Sequence, residues 1–281
     1  MNVLWAVGYP AAAIVLAHGV APMLLSLVRL GAAFLMLAPF LLRIKSWNRR
    51  LIALGAFMGI VGFTLPVWLQ SWGLHRTNAG IAALSISVEP LFTVMAAALL
   101  LHQRITRWQK AAFAIALVGS WILTGAPRPG RAPEILGDLA LFLAVLCFAI
   151  FNVYSPTLFD RAGAGPGAAL VFGFGAFGSL VLWLASGHAL PPAQPPAVWF
   201  ALAYMAIGAT GIAYYLWLFA MGRATLSTAA LLLYTQPLLG TLISWALGQT
   251  HMTLTLAVGG FMVLAAMTLG QVGAPPTPET G

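Results

Sequence analysis

Charge is nearly missing from this chain: 6% of its 281 residues are Asp, Glu, Lys or Arg. A soluble domain carries about a quarter, so a solvated globular surface is excluded. Cysteine occurs once, at Cys147 inside an apolar run, which excludes a disulfide framework and a Cys-rich metal site and leaves a buried, inert thiol. Acidic residues number five, and no HExxH, GxSxG or Walker pattern occurs. An enzyme built on paired carboxylates, a zinc helix, a nucleophile elbow or a phosphate loop is therefore not expected, and no cofactor is implied.

What is abundant is apolar sequence, 61% of residues, with a mean hydropathy of +0.95. It comes in blocks of about 17 to 25 residues, the length an α-helix needs to cross about 30 Å of hydrocarbon. Ten blocks are expected, near 2–18, 21–42, 51–73, 77–101, 108–125, 135–157, 166–187, 197–220, 225–248 and 252–272. The fold class is an all-α integral membrane protein with ten transmembrane helices. The first block lacks a basic leader, the first Arg being Arg29, and reads as a retained helix. The tail 273–281, rich in Pro and Thr, is expected to be disordered.

Lys and Arg gather in the cytoplasmic loops of a membrane protein. Arg43, Lys45, Arg49, Arg50, Arg104, Arg107, Lys110, Arg161 and Arg223 follow even-numbered blocks, against Arg76, Arg128 and Arg131 after odd-numbered ones. Both termini are thus expected in the cytoplasm of a bacterial-type inner membrane. The net charge of +8 is then a topology signal with some attraction to anionic lipid headgroups; a nucleic-acid partner would need a polar face that this chain lacks.

The chain repeats itself. "AGIAALSISVEPLFTVMAAALLLHQRIT" (79–106) matches "LSTAALLLYTQPLLGTLISWALGQTHMT" (226–253) with Pro90 on Pro237, Glu89 on Gln236 and Thr106 on Thr253. Each repeat holds five blocks, and an odd number inverts the second copy, giving repeats at 1–126 and 127–272 on the plan of many secondary transporters.

Trp5, "SLVRLGAAFL" (26–35), "SVEPLFTVMAAALLLHQRIT" (87–106) and "LLLYTQPLLGTLISWALGQTHMT" (231–253) resemble the drug/metabolite transporter superfamily in its ten-helix EamA branch, most closely the YddG-type aromatic amino acid exporters. The family's Gly-Glu after helices 4 and 9 is His102-Gln103 and Gly248-Gln249 here, so no role is carried over from those carboxylates. The resemblance implies a central cavity lined by helices 1, 3, 4, 6, 8 and 9, and a small-molecule substrate such as an amino acid or other metabolite.

Pro90 and Pro237 fall near the midplane of their blocks. A proline there lacks an N–H and clashes with the carbonyl four residues back, so both helices are expected to kink or loosen. One such kink can merely shape packing; a matched pair fits a hinge at the repeat interface. Glu89 is the one carboxylate deep in a block. Left ionised and unpaired it would cost several kcal/mol, so it should face the interior. Arg29 is a plausible partner, and a structural clasp, a proton carrier and a contact to a substrate ammonium remain open.

Trp68, Trp72 and His75 share a helix face by their i, i+4, i+7 spacing. Helix 8 answers with Tyr214, Tyr215 and Trp217. Rings at helix ends, Trp47, Trp108 and Trp199, fit an interfacial belt; those at mid-depth fit the walls of a pocket that stacks planar solutes. Tyr9, Asn152, Tyr154, Tyr234 and Ser244 are the candidate polar contacts. The substrate-site set is thus Tyr9, Trp68, Trp72, His75, Glu89, Asn152, Tyr154, Tyr214, Tyr234 and Ser244, with Pro90 and Pro237 as hinges. Runs such as "GFGAFG" (173–178) let helices approach closely; packing within one chain, hence a monomer, is the reading preferred over dimerisation.

The expected functions are a secondary transporter exporting aromatic and other hydrophobic amino acids by alternating access, or an exporter of drugs, nucleobases or other metabolites on the same fold. A channel would need a ring of charges or carbonyls from symmetric subunits. If the charge bias sets the orientation, a fluorescent reporter fused to the C-terminus is bright in cells and a periplasm-only phosphatase in its place is inactive; the reverse pattern would refute it.

Overall fold

The computed structural model describes residues 1–44, 46–74, 76, 85, 88–102, 104–123, 132–187, 190–221, 233, 235–246 and 253–272. Every regular element among them is helical. In chain order they are α1 (Asn2–Ala17), α2 (Pro22–Leu37, drawn out by the 3₁₀ turn Ala38–Arg43), α3 (Arg49–Gly59), α4 (Leu65–Leu74), α5 (Glu89–Leu100), α6 (Arg107–Leu123), α7 (Ala132–Ala162), α8 (Ala164–Ala185), α9 (Pro196–Tyr204), α10 (Ala213–Met221), α11 (Thr235–Ala246) and α12 (Leu254–Val272). Five helical stretches are long and apolar enough to cross a membrane: Pro22–Arg43, Arg49–Gly73, Ile135–Ala162, Ala164–Ala185 and Pro196–Trp217. Shorter apolar helices occupy Asn2–Ala17, Glu89–Leu100 and Ala257–Gly270. Helix α7 is the longest at 31 residues, with Glu134 and Asp138 in its first turns and Asp160 and Arg161 in its last.

Two of the long stretches are interrupted in the same way. Between α3 and α4 the segment Ile60–Thr64 is a π turn, and between α9 and α10 so is Met205–Ile212. The Leu65 N–H bonds to Ile60 O, and the Ala213 N–H to Gly208 O, each five residues back instead of four. The two runs start at Arg49 and Pro196, 147 positions apart, the spacing at which Pro90 faces Pro237 in the sequence.

Pro90 marks a helix start. Helix α5 begins at Glu89 with Val88 as its N-cap and Pro90 in the first turn; Pro237 lies in α11, which is described from Thr235 onward. The sequence suggested a kink inside a helix. A first turn is where a missing N–H goes unnoticed and a fixed φ is already helical, so the proline costs little there. Residues 77–84, 86–87 and 234 lie outside the described set, as does the tail 273–281.

The chain divides into two compact units, each drawing on both halves of the sequence. The first comprises Met1–Ser71 and Tyr154–Phe219. In it α2 lies along α8, α8 also packs on α3 and the first π turn, and α2 on the second. Small residues permit this. A Cβ on Gly59 would meet Val171 O at 2.6 Å and the Gly175 nitrogen at 2.8 Å, so α3 and α8 touch backbone to backbone. Thr64 Oγ1 donates to Gly175 O at 3.0 Å, and Ser179 Oγ to Ser26 Oγ at 3.1 Å, between buried side chains. An apolar cluster of Ala11, Val15, Leu24, Leu25, Val198, Leu202 and Met205 closes α1, α2 and α9 together.

The second unit comprises Trp72–Val153 and Ala220–Gly281. Its core is the pairing of α6 with α12 around Val94, Ala112, Phe113, Ala116, Val263 and Ala266. Helix α6 opens with a reciprocal cap: the Thr106 N–H donates to Gln109 Oε1 at 3.0 Å and the Gln109 N–H to Thr106 Oγ1 at 3.2 Å, which satisfies two amides the helix itself leaves over.

Gly59→Ala is expected to lower stability by about 1–3 kcal/mol, because the obstructing atoms are backbone. Gly31→Ala, where a Cβ meets nothing within 4 Å, should be neutral. Thermal unfolding in detergent compares the two, and equal midpoints would refute the close-approach account.

Candidate substrate site

In the second unit a polar cluster sits on otherwise apolar helices. Glu89 is the first residue of α5, and Thr93 lies one turn further on the same face. Asn152 comes from α7. Its Nδ2 donates to Glu89 Oε1 at 3.2 Å and to Thr93 Oγ1 at 3.2 Å, one hydrogen of the amide to each. Thr93 and Asn152 are buried and Glu89 is half-buried. The carboxyl also stands at a helix start, where free backbone amides and the helix dipole favour negative charge. Phe92 and Phe142 stack beside it, centroids 6.4 Å apart. The cluster can hold an acceptor inside a membrane helix and present it to a cation or a proton.

In the first unit the rings converge on Tyr214. Trp5 and Phe63 each approach it edge-on at 5.0 Å, and Phe172 at 5.8 Å. Trp5 also meets the buried Trp217 at 5.8 Å, and Phe63 meets Phe172 at 5.4 Å. Edge-to-face contact is the favoured arrangement of ring quadrupoles.

This wall is stitched to the second π turn by side chains. Because the Ala213 N–H bonds elsewhere, Ala209 O loses the amide an α-helix would give it, and Trp5 Nε1 donates to it at 2.9 Å. Thr210 Oγ1 donates to Met205 O at 2.7 Å and accepts from Arg29 Nε at 2.9 Å. Tyr204 OH donates to Leu4 O at 2.8 Å. Arg29, expected as a partner for Glu89, therefore bonds within its own unit.

The expected site residues distribute as follows. Glu89 and Asn152 are brought together, and Tyr214 becomes the centre of the ring cluster. Tyr154 packs edge-on against Phe57 at 6.5 Å. Trp72 carries the Arg76 guanidinium 3.8 Å over its ring, while Arg76 Nη1 donates to Trp72 O at 3.0 Å, so one face of that indole is covered. Trp68 is 42% exposed. His75 and Tyr234 lie outside the described residues, as do the side chains of Tyr9, Pro237 and Ser244, whose backbones are helical. Thr93, Phe63, Phe172 and Thr210 were not anticipated. Thr93 had a signal, a polar residue four positions after Glu89; the π turns had only a loose one, the Gly and Thr of "IVGFT" and "MAIGATGI".

Apolar helices of membrane-crossing length with polar groups turned inward define a multi-pass helical membrane protein. The chain belongs to the EamA-like transporter family, which matches residues 1–125 and 135–269, and so is a transporter of small solutes. Among its relatives is the "Probable terminal-alkyne amino-acid exporter" of Streptantibioticus cattleyicolor, 26% identical over 98% of this chain and 94% of the relative. Another is the "Aromatic amino acid exporter YddG" of Ancylobacter novellus, 28% identical over 68% of this chain and 71% of the relative. A crystal structure at 22% identity superposes with a TM-score of 0.81, covering 96% of this chain and 93% of the other, and shares the fold.

Asn152→Ala removes the donor that Glu89 and Thr93 share. It is expected to destabilise the protein by about 1–3 kcal/mol, the cost of leaving buried acceptors unmet, while Asn152→Gln recovers part of the loss. Unfolding midpoints of the purified variants decide it, and an unchanged Asn152→Ala would show the cluster to be slack.

Proposed function

We propose that the chain is a secondary transporter that exports aromatic and other hydrophobic amino acids by alternating access. It is built as two inverted five-helix repeats, 1–126 and 127–272, with ten spans and both termini in the cytoplasm of a bacterial-type inner membrane. The observation that carries this reading is the matched pair of helix interruptions. Helix runs that start 147 positions apart, at Arg49 and Pro196, are each broken by a π turn, and interrupted helices at equivalent positions are where such transporters place their substrate. The two segments matched by the family, 1–125 and 135–269, support the same division.

The substrate class rests on two supports. Both named relatives are described as amino-acid exporters. Each unit also supplies a surface of its own: the first has rings around Tyr214 that suit a planar side chain, and the second has the Glu89–Asn152–Thr93 cluster as an acceptor for an ammonium or a proton. Trp68, Trp72, His75, Tyr9, Tyr154, Tyr234 and Ser244 are the further proposed substrate contacts, with Pro90 and Pro237 as hinges. With no nucleotide-binding motif in the sequence, uphill movement draws on a gradient. The runner-up is export of a drug or other metabolite by the same cycle, and the same assay separates them.

Purified protein in liposomes should show saturable uptake of labelled tryptophan and phenylalanine above that of threonine. If Glu89 carries a proton, an imposed pH gradient accelerates uptake and Glu89→Gln abolishes the acceleration in protein that remains folded. Uptake indifferent to both would make Glu89 structural. Absence of amino acid uptake would reject the substrate class.

A further inference from the structure

Trp5 and Arg29 lie on the first two helices, yet each bonds to the interruption in the eighth span. We propose that they are positioning residues for Tyr214: together they hold the π turn Met205–Ile212 in place, and that turn aims the ring into the interior. For its effect on transport this rests on the aromatic-substrate reading above; the latch itself does not.

A helix advances about 100° per residue, so one extra residue accommodated in a turn resets the direction of everything beyond it by about that angle. Beyond this turn Tyr214 meets Trp5, Phe63 and Phe172, Trp217 is buried, and Tyr215 and Leu216 are exposed at 38% and 41%. Restoring α-helical bonding would swing the inward pair away.

Both latch contacts fall on the π turn itself. The indole N–H of Trp5 donates to Ala209 O, the carbonyl that α-helical bonding would give to the Ala213 N–H, which here bonds to Gly208 O. The Thr210 hydroxyl reaches Met205 O, five residues back, and Arg29 Nε donates to the same hydroxyl. Trp5 also touches the ring being aimed, at 5.0 Å. One side chain thus fixes both the turn and its product.

The test uses the full chain in lipid nanodiscs, as Trp5→Phe, which keeps a ring and loses the N–H, and as Arg29→Lys, which keeps the charge and loses Nε. Amide hydrogen exchange over 205–214 is expected to quicken about tenfold in either variant, the effect of one lost hydrogen bond, with 107–123 unchanged. Unaltered exchange at 205–214 in both overturns the latch. If exchange rises everywhere, the variant has lost its fold, and Thr210→Val, which removes only the hydroxyl, decides on the same criterion.

Transport then reads the aiming. In a variant loosened at 205–214, KM for tryptophan should rise about fivefold while that for threonine and both maximal rates stay within about twofold, from one misplaced ring contact. Equal changes for both substrates, or none, overturn the positioning role. If the native protein carries no amino acid, the substrate reading fails, and the exchange result alone sustains or refutes the latch.

Discussion

Backbone groups inside hydrocarbon have no water to bond, and each one left unmet costs several kcal/mol. Both π turns among the described residues are shaped by that constraint. At the second π turn the indole N–H of Trp5 donates to Ala209 O, and the Thr210 hydroxyl donates to Met205 O and accepts a hydrogen bond from Arg29 Nε. At the first π turn Thr64 donates outward to Gly175 O. Trp5, Arg29 and Gly175 meet these turns from other helices. Pro90 obeys the same rule by another route, standing in a first turn that has amides to spare.

Close packing follows from it. Lipid gives two apolar helices little reason to prefer each other, and contacts such as Gly59 on Val171 and Gly175, or Gly119 on Met262, bring backbones near enough for dispersion to supply the preference. Several of the buried polar residues join helices. Ser26 meets Ser179, Thr64 meets Gly175, and Asn152 meets Glu89 and Thr93.

Hydropathy located nearly every helix in the sequence, because a membrane demands about twenty apolar residues wherever a chain crosses it. Helix α7 reaches beyond the expected 135–157 at both ends, since its flanking turns are polar yet still helical. The pairing of Glu89 with an interior polar group was legible too, as a lone carboxylate there has to be satisfied. What eluded the sequence was hydrogen-bond register. A π turn differs from an α turn by one residue of spacing and has no fixed composition, so Ile60–Thr64 and Met205–Ile212 left no clear trace. Partners set by that register, Thr210 for Arg29 and Ala209 for Trp5, were hidden with it. Proline gave a position without a meaning: depth alone could not tell a bend at Pro90 from a beginning.

Helix α7 also carries a gauge of the bilayer it was made for. Its 31 residues extend about 46 Å at 1.5 Å per residue, well beyond a hydrocarbon layer of about 30 Å. The innermost acids toward its two ends, Asp138 and Asp160, are separated by about 33 Å on the same rise. The uncharged length is therefore enough to cross an ordinary bilayer. A markedly thinner membrane would have to lean this helix over or draw lipid up along it, and since α7 bears Asn152, bilayer thickness would act on the polar cluster as a mechanical load.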